Sequence, residues 1–390
     1  MSDQRVVLKP GREKSLLNKH PWIFSGAVAE WPLFENGEIL PVFSASGNFL
    51  AQAYFHRENS IAGRVLAFTE APIRQVIEER LSQAIALRKQ RFSSQTTNAY
   101  RLVNSEGDFL PGLVIDLYDD VAVLQVNTCG MERLKSLIVE LLKTKLTLRG
   151  IYEKSHSSAR TQDGLSDSIG VLFGDCPKEV IVKENGVSFL SAIQEGQKTG
   201  FFLDQREMRQ LIMRCSSGKK VLNCFSYTGG FSLFALQGGA RHVVSVDCSE
   251  EACRLARENT LLNNFDLSAH EVVQADVFEY LKDHALDFDV VILDPPAFAK
   301  RRQDVNNACR GYKEINRMAM QKLPPNSLLL SSTCSHFVDD TLFQQVLFQA
   351  AIEAKREVEI CGHHIQAADH PISLFHPEGK YLKSFLLRII

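Results

Sequence analysis

The sequence predicts an α/β chain: a Rossmann-like sheet in the C-terminal half, preceded by a β-rich N-terminal domain and a central α+β domain. Two observations predict it. From Gly186 onward, apolar runs of strand length alternate with stretches of helical periodicity, the mark of a parallel sheet covered by helices on both faces. Before Gly186 the pattern changes twice, and 390 residues exceed the roughly 100 to 200 of one domain. The expected domains are 1–72, 73–185 and 186–390.

In residues 1–72 the short apolar runs Val6–Leu8, Ile39–Phe43, Phe49–Phe55 and Ile61–Phe68 are separated by Gly, Pro and Asn, as in a small barrel or sandwich. Ile73–Phe92 carries Val76, Leu81 and Ile85 at helical spacing and ends in the polar stretch Ser93–Asn98, which reads as a connecting helix and a linker. Strand-like runs Leu113–Tyr118 and Val121–Val126, a helix over Met131–Leu142 and a strand near Ile151 fit the central domain. In the C-terminal domain, strands are expected at Lys220–Cys224, Val243–Val246, Val272–Gln274, Val290–Leu293 and Leu328–Ser331. Helices are expected at Phe231–Gln237, Glu250–Asn263 and Tyr312–Leu323.

With 45% hydrophobic and 23% charged residues, the chain has ordinary globular composition. No apolar run approaches the ~18 residues that span a bilayer. The segment MSDQRVVLKPGREKSLL lacks a signal-peptide core and cleavage site, so no membrane partner is expected and the compartment is cytoplasmic. Nine cysteines without C-x-x-C spacing signal neither a metal site nor a disulfide framework, and most are expected to be reduced and buried. A net charge of −2 excludes nucleic-acid binding by bulk positive charge and leaves it to local basic patches.

The strand Val221-Leu222-Asn223 runs into Cys224-Phe225-Ser226-Tyr227-Thr228-Gly229-Gly230 and then a helix, while the next strand ends in Asp247. Open α/β sheets bind ligands at the carboxyl ends of strands. A small-residue turn admits a cofactor to the backbone, and an acid at the next strand end accepts hydrogen bonds from ribose hydroxyls. After the third strand, Asp276 stands where an adenine amino group can donate to it, or where it caps a helix. A nicotinamide dinucleotide is the competing ligand at this stage.

The next motif decides against it. The buried strand Val290–Leu293 delivers Asp294-Pro295-Pro296, whose prolines end the strand and hold a rigid turn that can present the Asp294 carboxylate to the edge of a base. A neighbouring strand ends in Thr333-Cys334-Ser335, and adjacent strands lie about 5 Å apart. A Cys334 thiolate there can add to C6 of a pyrimidine and make C5 nucleophilic toward a sulfonium methyl group, with Asp294 holding the pyrimidine edge. The alternative for Cys334 is a buried core cysteine. The segment from Lys300-Arg301-Arg302 to Arg310-Gly311-Tyr312-Lys313 brings basic and aromatic groups for phosphates and a base, or else is a solvated loop.

With these residues in view, the chain resembles the bacterial ribosomal RNA large subunit methyltransferase I family over essentially its whole length. The resemblance is carried by Gly11–Leu16 including Lys14, by His20-Pro21-Trp22, by Lys198–Arg206, and by Asn223–Gly230. Asp294-Pro295-Pro296, Ala308–Lys313, Thr333-Cys334-Ser335 and Ala367–Pro371 complete it. It implies a PUA domain, a central domain and a class I methyltransferase domain that uses S-adenosyl-L-methionine to methylate C5 of a cytidine in 23S ribosomal RNA. It also implies that Phe202, Asn223, Ser226, Gly229, Asp247, Asp276 and Asp294 line the cofactor cleft, with Cys334 as nucleophile. Lys14, Lys300, Arg301, Arg302 and Arg310 are the candidate RNA contacts. Tyr227 departs from the wider methyltransferase pattern, in which glycine is common. The alternatives are methylation of a base nitrogen such as guanine N7, and a non-catalytic RNA-binding or assembly protein. Whether the chain works alone or as a homodimer stays open.

Overall fold

In the computed structural model, which describes residues 4–196, 199–299 and 301–390, the chain forms two units. The first comprises Met1–Val182, Ser191–Leu203 and Asp369–Gly379; the second comprises Lys183–Leu190, Asp204–Ala368 and Lys380–Ile390.

The first unit opens with β1 (Val6–Leu8), α1 (Lys14–Leu17), β2 (Trp22–Phe24), β3 (Val28–Glu30), β4 (Ile39–Phe43), β5 (Phe49–Phe55) and β6 (Ile61–Ala67). These strands form one sheet in the order β2-β6-β5-β4-β1-β3 around a core that includes Val6, Leu8, Ile23, Val42 and Phe55. The three-residue strands β2 and β3 fall below the length at which alternation is legible in sequence. Next come α2 (Ile73–Arg91), β7 (Ala99–Asn104), β8 (Leu113–Tyr118), β9 (Val121–Val126), α3 (Cys129–Lys145), β10 (Gly150–Ser155), α4 (Ser158–Gln162) and β11 (Ser168–Gly174). Their sheet has the order β11-β10-β9-β8-β7. The buried Arg88 of α2 forks onto Asp108 through two bonds of 2.6 and 2.7 Å, so a charge is carried into this unit's interior only with its partner. A hairpin of β12 (Glu179–Glu184) and β13 (Val187–Ala192) follows, its tip counted with the second unit.

The second unit contains α5 (Arg206–Cys215), β14 (Lys220–Cys224), α6 (Gly230–Gln237), β15 (His242–Asp247), α7 (Glu250–Leu262), β16 (His270–Gln274) and α8 (Val277–Asp283). It continues with β17 (Val290–Leu293), α9 (Val305–Lys322), β18 (Leu328–Thr333), α10 (Asp340–Ala354), β19 (Val358–His364) and β20 (Lys383–Ile389). The sheet order is β16-β15-β14-β17-β18-β20-β19, parallel from β16 to β18 and antiparallel thereafter. The sheet is therefore mixed rather than wholly parallel, because β20, buried along nearly its whole length, enters between β18 and the edge strand β19. Alternate residues of β14 serve two layers: Leu222 and Cys224 pack with α8 and α9, and Val221 packs with α5 and α6.

All nine thiols are free, but only Cys129, Cys176, Cys224 and Cys253 are buried, which corrects the expectation for most of them. Cys248 lies just beyond β15 and Cys361 on the edge strand β19, where burial is not available. Among the described residues no helix is long and apolar enough to cross a membrane.

Candidate active site

The chain leaves β14 outward to β15 and β16, then returns to the other side of β14 as β17, so a crevice opens at the carboxyl end of β14. There Phe225 (φ 58°), Tyr227 (φ 46°) and Gly229 (φ 82°) take left-handed conformations. For a residue with a Cβ this costs about 1–2 kcal/mol, which accounts for the glycine common at the position of Tyr227. Hydrogen bonds that hold the turn include Tyr227 N to Asp247 Oδ2 (2.8 Å), Ser226 N to the Val246 carbonyl (3.0 Å), Gly229 N to the Ser226 carbonyl (2.9 Å) and Asn259 Nδ2 to the Thr228 carbonyl (3.0 Å).

Three buried oxygens at this end of the sheet, Asn223 Oδ1, Ser226 Oγ and Gln205 Oε1, have no hydrogen-bond partner. An unmet buried polar group costs about 1–3 kcal/mol, so the set points to a ligand rich in donors. S-adenosylmethionine fits, with an ammonium, two ribose hydroxyls and an adenine amino group to offer. Asp247 Oδ1 accepts from Ser249 N at 2.9 Å. Asp276 caps α8 through Oδ1, which accepts from Phe278 N (2.8 Å) and Glu279 N (3.2 Å), and Oδ2 stands outside both bonds. Capping and adenine recognition are thus compatible.

Asp294 follows β17 directly, and its Oδ1 accepts from Gln205 Nε2 at 2.8 Å. β17 and β18 are parallel neighbours with Leu293 beside Ser331, which brings the Asp294 turn and the partly buried Cys334 to one edge. Ser335 joins the two motifs: its Oγ accepts from Ala299 N (3.2 Å) and lies 2.8 Å from the Tyr312 hydroxyl, which accepts from Phe298 N (3.2 Å). Behind this turn, Lys383, 2% exposed and paired in register with Thr333, donates to the Ser335 carbonyl at 2.8 Å. Burial pulls the Lys383 pKa down to about 8, against the opposing pull of Asp340 and Cys334.

Tyr312 is fully buried, so it does not stack on a base; burial raises its pKa and its hydroxyl orders the two motifs instead. Arg310 is exposed, but on α9 rather than in a loop, and Arg301 and Arg302 are exposed at the start of the turn before α9. Lys14 is exposed on α1 of the first unit. Lys300 and Lys198 lie outside the described residues. Phe202 belongs to the first unit, on a segment anchored by Thr199 Oγ1 to Asp116 Oδ2 (2.6 Å) and by Phe201 N to the Tyr118 hydroxyl (3.1 Å). Sequence reasoning missed Lys383; its one signal was a lysine inside the apolar run Leu382–Ile390.

Residues 162–357 match the family of S-adenosylmethionine-dependent methyltransferases, and residues 6–68 match the PUA-like domain. The chain is 43% identical over 392 residues to the ribosomal RNA large subunit methyltransferase I of Aliivibrio fischeri, with 99% of each chain covered. It is 42% identical over 393 residues to the protein of that name in Vibrio cholerae, again with 99% of each covered. Among solved structures it resembles SMU.776, a proposed methyltransferase complexed with SAH, at 26% identity and a TM-score of 0.86 over 98% of this chain and 99% of that one. A second structure, of a proposed SAM-dependent methyltransferase from Streptococcus mutans, gives 26% identity and a TM-score of 0.84 with the same coverage.

Proposed function

Because the chain belongs to the ribosomal RNA large subunit methyltransferase I family, we propose that it methylates C5 of a cytidine in 23S RNA with Cys334 as nucleophile. It is an S-adenosylmethionine-dependent ribosomal RNA methyltransferase with a PUA-like domain at its N-terminus. The finer reading puts the reaction in the cytoplasm, with residues 1–72 and 73–185 holding RNA and 186–390 performing the transfer.

When bound, S-adenosylmethionine supplies a methyl group on a sulfonium, an electrophile strong enough for a carbon nucleophile. Asn223, Ser226, Gly229, Asp247 and Asp276 would hold it at the carboxyl edge of the sheet. C5 of cytosine is unreactive until a nucleophile adds at C6. The Cys334 thiolate forms that bond, and the pair of electrons displaced from the C5–C6 double bond makes C5 the attacking atom. Asp294 engages the N3 and amino edge of the ring and stabilises charge as the adduct forms. Methyl transfer leaves S-adenosylhomocysteine; a general base then takes the C5 proton, its electrons restore the C5–C6 double bond, and the bond from C6 to Cys334 breaks to return the thiolate.

One observation carries this reading: Ser335 and Tyr312 tie the Cys334 turn to the loop that follows Asp294, so that thiol and carboxylate belong to one ordered edge. The test is base-resolved detection of 5-methylcytosine in 23S RNA from cells lacking the protein, after incubation with wild-type or Cys334→Ala enzyme and cofactor. A single new 5-methylcytosine made by the wild type alone is expected. Methylation that survives in Cys334→Ala sinks the thiolate mechanism and favours a base nitrogen; none with either protein favours a binding role.

A further inference from the structure

From Asn223 of the proposed cofactor turn a line of buried polar side chains runs back through four residues that the transfer chemistry does not use. Asn223, Ser232, Ser245 and Thr260 are fully buried and His270 is 5% exposed. Asn223 Nδ2 lies 2.9 Å from Ser232 Oγ, Ser232 Oγ 2.6 Å from Ser245 Oγ, Ser245 Oγ 2.7 Å from His270 Nε2, and His270 Nδ1 2.6 Å from Thr260 Oγ1. The sheet register builds this line. Asn223 of β14 sits beside Ser245 of β15; Val243, two residues back on the same face, pairs with His270 of β16; α6 and α7 cover them with Ser232 and Thr260.

A neutral imidazole has one N–H, so the line can carry its hydrogen bonds in only two senses. His270 is neutral: burial, with His242 and Arg257 nearby, draws its pKa down to about 4. In the first sense Asn223 donates to Ser232, Ser232 to Ser245, Ser245 to Nε2, and Nδ1–H to Thr260, whose own hydroxyl proton goes to the Ala256 carbonyl at 2.8 Å. In the second sense every bond reverses, the Ala256 bond is lost, and the Asn223 amide turns over. Two N–H groups would then face the place where Asn223 Oδ1, buried and without a partner, now stands. The first sense makes one hydrogen bond more. It also leaves an acceptor where the cofactor brings donors.

We propose that Ser232, Ser245, His270 and Thr260 are positioning residues, whose hydrogen-bond chain runs from Asn223 toward Thr260 and thereby fixes the Asn223 carbonyl oxygen as an acceptor for the donor groups of the cofactor. This rests on the reading of the β14 turn as the cofactor cleft. The imidazole tautomer, set about three bonds away, selects which end of the amide the ligand meets.

The test is a long-range proton–nitrogen NMR spectrum of the full-length, cofactor-free chain labelled with 15N-histidine, the His270 signals being assigned by their loss in His270→Phe. The expected result is a proton on Nδ1 and a bare Nε2; a proton on Nε2 overturns the proposal. Thr260→Val removes the acceptor of Nδ1–H. It should shift His270 toward the Nε2–H tautomer and weaken binding of the probe S-adenosylhomocysteine by about fivefold in calorimetry, the scale of one neutral hydrogen bond. Unchanged affinity in that variant, or a loss of affinity with no tautomer change, also overturns it. The wild-type spectrum decides the sense of the chain even if the variant does not fold. Wild type that fails to bind S-adenosylhomocysteine removes the cleft assignment itself, a different failure from a wrong tautomer in a protein that binds.

Discussion

Burying Lys383 behind the Cys334 turn separates its folded pKa, about 8, from the ordinary lysine value of 10.5. Between those values the unfolded chain binds more protons than the folded one, so this group makes stability rise with pH from about 8 to 10.5. Below pH 8 the ammonium is charged in both states and its burial is a standing penalty, one that the bond to the Ser335 carbonyl only partly offsets. Tyrosines and cysteines titrate in the same range, so the clean quantity is a difference between wild type and Lys383→Met. Urea unfolding at a series of pH values should show that difference moving in favour of wild type by about 2–3 kcal/mol between pH 7 and pH 10. A flat difference would mean that Lys383 is solvated in the native state. Residues like Lys383 and Tyr312 were hard to assign from sequence because their roles depend on partners far along the chain. Tyr312 reads as an aromatic for stacking until Ser335, 23 residues later, meets its hydroxyl.

At the scale of elements, the turn after β14 gives the sharpest expectation. Gly229 has φ 82°, and a Cβ there would stand 3.3 Å from Ala256 Cβ. Gly229→Ala therefore adds left-handed strain and a close contact in the turn proposed to receive the cofactor. It should lower stability by about 1–2 kcal/mol and weaken S-adenosylhomocysteine binding at least severalfold, measured by thermal unfolding and calorimetry. Full retention of both would remove the turn from the cofactor site. The elements that build this site were legible where they are buried on both faces: Lys220–Cys224 and Val290–Leu293 appear with the bounds that the sequence predicts. The start of α9 was not. In Val305–Gly311 the exposed Asn306, Asn307 and Arg310 interrupt the apolar pattern, and only the contacts of Val305, Ala308 and Cys309 with the core reveal the helical face. β20 shows the other kind of gap: it was not among the expected strands, and its insertion between β18 and β19 is a choice of non-local partners that no local pattern encodes.

For the whole molecule, 44 basic against 46 acidic side chains leave no general attraction for RNA, so affinity has to come from a few placed cations. Arg302 and Arg310, two of the proposed RNA contacts, are exposed, Arg302 in the turn before α9 and Arg310 on α9 itself. Each phosphate neutralised on a single strand contributes roughly 0.7 to the slope of log affinity against log salt. If both arginines make such contacts, the Arg302→Ala/Arg310→Ala protein should bind a ribosomal RNA fragment more weakly, with a slope shallower by about 1.4 than wild type, and should lose affinity equally for unrelated sequences. If the two side chains are merely solvated, the affinity falls little and the slope stays the same. The comparison of slopes is more telling than the affinity alone, because a folding defect lowers the active fraction at every salt concentration and leaves the slope unchanged, whereas a lost phosphate contact changes the slope itself.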